Sequence, residues 1–233
     1  VPTSAPGEQA RALCAVIAAI HARGWCDGTG GNFSCVSRLE PLELLMAPSG
    51  VDKGSIRPQD LILVNAQAQV IDGSGAASAE TLLHLEIVKR TGAAAVLHTH
   101  SQAATLLSRR ALQAVLLRPV GSAAEATNPA EAANAVNAAV RIDGLEMLKG
   151  LTGIRSHDTS IAIPVLANDQ DLRRLSSAAS PHLDEAPHGL LIAGHGLYAW
   201  GHDLFSARRH LEILEFLLEQ SWRELLLPPL PNP

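Results

Sequence analysis

Aromatic residues are scarce in this chain: one Tyr, three Trp and three Phe among 233 residues. The core must therefore be aliphatic, and with 47% hydrophobic residues there is ample material for one. Cysteine is also rare. Cys14, Cys26 and Cys35 are odd in number and form no Cys-x-x-Cys pair, which argues against a disulfide framework and against a thiolate zinc site. Free thiols in a reducing cytoplasm are the expectation. No lysine- or arginine-rich block stands out, and the formal charge is −5, so nucleic acid is excluded as a partner. No apolar run is long enough to span a membrane as a helix. The opening Val1-Pro2-Thr3-Ser4 has neither the basic nor the apolar region of a signal peptide. A Gly-x-Gly-x-x-Gly turn after a strand is missing too, which removes nicotinamide cofactors. With no long linker and no internal repeat, residues 1–233 are expected to form one domain.

What is present centres on Ala93-Ala94-Ala95-Val96-Leu97-His98-Thr99-His100. A short apolar run leading into two histidines one residue apart reads as a buried strand ending in a metal site. Alternate strand residues share a face, so His98 and His100 project together, about 6.5–7 Å apart at the backbone. Imidazoles so placed can share one zinc at about 2.0–2.1 Å. An isolated pair at a strand end can equally face solvent. Glu80 upstream, Glu146 downstream and a third histidine in Gly194-His195-Gly196 favour the metal.

Along the chain, elements alternate. Ala12, Leu13, Val16, Ile17 and Ile20 recur at helical spacing before Gly24. Asp27 to Ser34 is glycine-dense; such a turn either cradles an anion with its amides or is an ordinary hairpin turn. Leu42 to Ala47 reads as a strand leading to Pro48-Ser49-Gly50, with Lys53 close behind as a point charge suited to phosphate or as a solvated surface lysine. Ser78 is expected to cap a helix that carries Glu80 in its first turn and stops at Gly92. A further helix runs from Ala103 to Leu117, followed by an alanine-rich peripheral excursion within residues 111–140. Ile161 to Leu166, Gly189 to Ala193 and Leu197 to Gly201 read as strands, and Asp203 to Leu226 as a last long helix. The sum is a central sheet with helices around it and histidines at strand ends.

Gly31-Asn32-Phe33-Ser34, Pro48-Ser49-Gly50, Ser78-Ala79-Glu80, His98-Thr99-His100 and Gly194-His195-Gly196 together resemble the class II aldolase/adducin family in content and order over nearly the whole chain. Glu146-Met147-Leu148-Lys149-Gly150 and His195-Gly196-Leu197-Tyr198-Ala199-Trp200-Gly201 look like its branch that dehydrates a methylthio sugar phosphate in methionine salvage. The resemblance implies a three-layer α/β/α fold with a central, largely antiparallel sheet. It implies one zinc per subunit, held by His98, His100 and His195, and a fourfold homo-oligomer with active sites between subunits. Its phosphate pocket would fall on Gly31, Asn32, Ser49, Gly50 and Ser78, with Lys53 nearby.

Dehydration of a ketose phosphate needs a base for the C3 proton and an acid for the departing C4 hydroxyl. The dehydratase branch gives the acid/base role to the glutamate at Glu146, and the aldolase branch uses the one at Glu80. Glu146 is the first choice and Glu80 the reserve, because a helix N-terminus would itself lower the Glu80 pKa. Whichever acts must lie near the metal and be tuned towards neutrality, as burial would do. The interval from His100 to Glu146 is longer than the resemblance leads one to expect. Retro-aldol cleavage or epimerisation on the same scaffold is the alternative within enzymes; tyrosines assist the aldolase branch, and this chain has only Tyr198. Adducin-type modules, which bind partners without catalysis, have lost the metal histidines; here all three stand. The remaining histidines are assigned to surface or ordinary hydrogen-bonding roles, with His84 or His157 as the ones that could line the pocket.

Overall fold

A computed structural model of the chain describes residues 6–117, 138–186 and 188–228. Most of the alanine-rich excursion, residues 118–137, lies outside the described residues. In chain order the elements are α1 (Pro6–His21), β1 (Asn32–Arg38), β2 (Glu43–Met46), β3 (Ile62–Asn65), β4 (Val70–Asp72), α2 (Thr81–Thr91), β5 (Ala95–Thr99), α3 (Gln102–Leu116), β6 (Ala139–Asp143), β7 (Ser160–Leu166), α4 (Leu172–Leu183), β8 (Gly189–Ile192), β9 (Gly196–Gly201) and α5 (Leu204–Glu224). Short 3-10 turns cover Pro58–Asp60 and Glu146–Gly150.

The strands form one sheet in the order β4-β3-β2-β1-β5-β9-β8-β7-β6. Every neighbouring pair is antiparallel except β7 and β8. Helices cover both faces, because the central strands are apolar on both sides. On β5, Leu97 packs with α1, α3 and α5, whereas Val96 packs with α2 and α4. On β9, Leu197 and Ala199 go to the first layer and Tyr198 and Trp200 to the second. This is the three-layer α/β/α arrangement expected, with a core on each face of the sheet. Leu13, Ile17 and Ile20 of α1 are fully buried, and each contributes about 1.5–3 kcal/mol of burial.

Three details of element ends matter for the site. Positionally the first cap of α2 is Glu80, not Ser78, and its side chain makes no cap bond. Ser78 still serves the turn, since its hydroxyl accepts from the Glu80 amide at 3.3 Å. Asp203 caps α5 by accepting from the Ser206 amide at 2.6 Å. Cys14, Cys26 and Cys35 are free and buried. Burial pushes the Cys35 thiol up to about 12, so it is inert at neutral pH. No helix among the described residues is long and apolar enough to cross a membrane.

Candidate metal centre and active site

Antiparallel pairing explains why histidines almost a hundred residues apart meet. The C-terminal end of β5 lies beside the N-terminal end of β9, with His98 opposite Tyr198 and Thr99 opposite Leu197. The turn that precedes β9 thus sets His195 at the end of β5. On the other flank, β1 begins with Asn32 opposite His98, which brings the glycine-rich turn to the same place. All three pieces converge because strand ends in this sheet are in register.

The three imidazoles face one another through their Nε2 atoms. His100 and His98 are 2.8 Å apart, His195 and His100 3.1 Å, and His98 and His195 3.4 Å. Nitrogens around a tetrahedral zinc stand about 3.3 Å apart, so the set has the dimensions of a metal's half-shell. Among the described residues these three form a group with ligand atoms within 4.8 Å of one another. The tautomer of His98 suits this purpose. Its Nδ1 donates to the Leu197 carbonyl at 2.9 Å, leaving the Nε2 lone pair pointing at the centre. Burial holds His98 well below the ordinary imidazole pKa, and it lowers His100 with help from the neighbouring His195. Neutral imidazoles are what a divalent cation requires. Beneath them, the Tyr198 ring stacks on His98 at 3.9 Å between centroids.

Glu80 completes the cluster. Its Oε1 is 3.1 Å from Nε2 of His195 and 3.8 Å from Nε2 of His98, and its Oε2 accepts from the Asn32 amide. Burial pushes this carboxyl up, but the hydrogen bond with His195 and the nearness of the His98, His195 and His84 imidazoles prevail, and it falls to about 2. The group is a carboxylate, so the tuning towards neutrality expected of an acid/base group is not found at Glu80. The surrounding imidazoles lower it, and its side chain makes no cap hydrogen bond to α2.

Glycines let the backbone approach the three histidines. A Cβ on Gly30 would lie 2.9 Å from Nδ1 of His100, and one on Gly31, whose φ is +78°, would lie 2.8 Å from the His98 carbonyl oxygen. The turn holding Ser49 and Gly50 is tied to the segment before α2, since the Ser49 amide donates to the Ala76 carbonyl at 2.8 Å. Ser49 and Gly50 are exposed and Ser78 half-buried. Lys53 is neither a solvated lysine nor a free cation: it is 1% exposed, and its Nζ donates to the Thr29 and Val51 carbonyls, each at 3.1 Å. It cross-links the glycine-rich turn to the Pro48–Gly50 turn.

Glu146 is placed elsewhere. Its side chain is 67% exposed, paired with Lys149 and 3.6 Å from Nδ1 of His157. The hydrogen bond from Lys149 lowers its pKa. Neither condition set for an acid/base group, burial and nearness to the imidazoles, is met by Glu146 within one chain. His157 is likewise exposed beside it. His84 is not a surface residue: it is fully buried, and its Nδ1 shares a 2.8 Å hydrogen bond with the Ser34 hydroxyl. Sequence reasoning missed the partnership of Asn32 with Glu80 and the stacking of Tyr198. The only signal for the second was its position three residues after His195, on the strand that pairs with β5.

Residues 11–222 match the Class II Aldolase and Adducin N-terminal domain family, and the chain belongs to that family. Within it, the chain is 40% identical over 207 residues to a methylthioribulose-1-phosphate dehydratase of Methylococcus capsulatus, covering 88% of each. It is 38% identical over 221 residues to a protein of the same name from Pectobacterium carotovorum, covering 92% of this chain and 95% of the other. Among solved structures, an L-fuculose 1-phosphate aldolase superposes with a TM-score of 0.70 at 18% identity, over 100% of this chain and 94% of the other. The L-fuculose-1-phosphate aldolase of Thermus thermophilus gives 0.66 at 24% identity, over 95% and 97%. At those identities the structures speak for the fold alone.

Proposed function

We propose that the chain is a zinc-dependent hydro-lyase that converts 5-methylthioribulose-1-phosphate to 2,3-diketo-5-methylthiopentyl-1-phosphate. The observation that carries this reading is the convergence of three Nε2 atoms, with Glu80 against them, in a chain whose relatives at about 40% identity bear the dehydratase name. The ligands of the ion are His98, His100 and His195. Three imidazole ligands leave a coordination position open, as a catalytic ion needs and a structural one does not. Zinc held there supplies Lewis acidity to the ketone oxygen.

The chain's own groups handle protons and phosphate. Glu80, held ionised, accepts the C3 proton, and Asn32 fixes the carboxylate by bonding its second oxygen. The phosphate is assigned to amides and hydroxyls of Gly31, Ser49, Gly50 and Ser78, on turns that Lys53 and the Ser49–Ala76 bond hold together. Glu146, exposed in one chain where Lys149 holds its pKa down, acts as the acid toward the C4 hydroxyl once a second copy covers it and burial raises that pKa. The fourfold assembly is the setting for that contact, and Leu117 and Phe205, 85% and 71% exposed, are apolar surface available to it. The three unpaired thiols suit a reducing cytoplasm.

The test is to incubate the protein with 5-methylthioribulose-1-phosphate and weigh the products. Loss of one water supports dehydration; two smaller fragments would mean aldol cleavage and overturn the reading. Glu80→Gln and Glu146→Gln should each keep metal and lose turnover by about 100-fold or more. Mixing Glu146→Gln with His98→Ala subunits should restore part of the activity. Full activity of Glu146→Gln alone would leave Glu80 as the acid/base group.

A further inference from the structure

Thr99 stands between two of the proposed ligands and faces the other way. Strand alternation sends His98 and His100 to one side of the sheet and the Thr99 hydroxyl to the other, where α5 packs. There the hydroxyl donates to Oε1 of Glu215, a residue 1% exposed and 116 positions further along the chain. Two residues past Thr99, Ser101 caps α3 by accepting from the Ala104 amide at 3.1 Å, and it lines the same pocket wall as Glu215. The helix that carries Glu215 is itself fixed to the sheet. Nδ1 of His210 donates to the Trp200 carbonyl at 2.7 Å, and a Cβ on Gly201 would collide with the Ala207 nitrogen. Glu215 is thus a rigid post behind the strand end.

A buried carboxyl is an expensive way to fill a helix–sheet interface. Leucines do that work at Leu211, Leu214 and Leu218 on the same helix. Among the described residues, Oε2 of Glu215 has no hydrogen-bond partner, and burial pushes the carboxyl up to about 7 against the pull of Ser101 and Thr99. Packing alone offers no return for that cost. The return lies in the bond the group makes to the residue that separates His98 from His100.

We propose that Glu215 is a positioning residue of the metal centre, anchoring Thr99 from the far face of the sheet and so fixing the two imidazoles that flank it. The inference rests on the metal reading given above. A ligand set is effective when its distances hold to within about 0.2 Å, and two ligands on one strand end move together if that end rotates. With Thr99 anchored, the strand cannot twist about its axis without breaking a buried hydrogen bond.

The experiment measures Zn2+ affinity of metal-free protein by competition with a chelating indicator, the visible spectrum of the Co2+ form, and the thermal midpoint without metal. Glu215→Leu and Thr99→Val should each weaken Zn2+ binding by roughly 10–100-fold and alter the Co2+ bands, without lowering the metal-free midpoint in proportion. Glu215→Gln, whose amide oxygen accepts the same bond, should bind close to wild type. The double variant should lose no more than Glu215→Leu alone, because the Thr99 bond is already gone in that single. Thr99→Val leaves the carboxyl in place and keeps the test alive if Glu215→Leu does not fold. Wild-type affinity and Co2+ bands in Thr99→Val, or a loss in Glu215→Gln as large as in Glu215→Leu, would overturn the proposal. Failure of wild-type protein to bind either ion would instead overturn the metal reading beneath it.

Discussion

Alanine at position 196 should dismantle the centre while alanine at position 194 should not, although both glycines flank His195. A Cβ on Gly196 would overlap the Thr99 carbonyl oxygen and lie 3.0 Å from its carbon and 3.1 Å from Cε1 of His98. These are backbone and ligand atoms, and none can swing aside. The ends of β5 and β9 would have to part where the ligands meet. Overpacking of a core costs about 1–3 kcal/mol, and separation of the strands also threatens the His98–Leu197 hydrogen bond, worth about 1 kcal/mol. Together we expect a loss of about 2–4 kcal/mol in Gly196→Ala. Gly194 poses a different problem: its φ is +68°, and the nearest atom to a Cβ there is Cβ of Arg109 at 4.0 Å. Left-handed backbone alone costs about 1–2 kcal/mol. Urea unfolding of the metal-free proteins and zinc content per chain distinguish the two. Gly196→Ala should be the less stable and hold little zinc, and Gly194→Ala should keep it. Equal stability with full zinc in both would refute the steric reasoning.

Glu215 gives a pH signature. Its pKa rises from 4.5 to about 7 on folding, so the folded state keeps a proton over that window that the unfolded chain has released. Stability from this group is therefore present below about pH 4.5, declines as pH rises to 7 and is fully lost above, a swing of about 3 kcal/mol. Glu215→Gln should flatten that part of the profile and exceed wild type in urea midpoint at pH 8; a parallel profile would contradict it. Lys53→Met should retain the buried stem and leave the Thr29 and Val51 carbonyls without a donor, costing about 2–3 kcal/mol in urea unfolding. Its KM for the sugar phosphate should rise while zinc content holds, and unchanged KM would exclude the cross-link as a support of the phosphate turns.

The parts of the site legible in the sequence are those set by local periodicity. His98 and His100 share a face because strands alternate, and a turn with glycines on both sides of His195 announces a close approach. Long-range pairing was hidden. Nothing local joins Asn32 to Glu80 across 48 positions; that contact exists because β1 pairs with β5 and α2 leads into β5. Lys53 is not the solvated surface lysine that its local sequence allows, because burial of a lysine depends on carbonyls supplied by two separate turns. The case for Glu146 rests on a motif, and one chain leaves it in solvent. Glu215 did carry a signal in its spacing, four residues after Leu211 and three before Leu218 on the apolar stripe of α5, and the structure buries it almost fully.

The most direct measurement is metal content per chain in protein prepared without chelator, for wild type and for single alanine variants at His98, His100, His195 and the exposed His202. The account predicts about one zinc per chain in wild type and His202→Ala, and close to none in the other three. Full zinc in His195→Ala, or none in wild type, would contradict it.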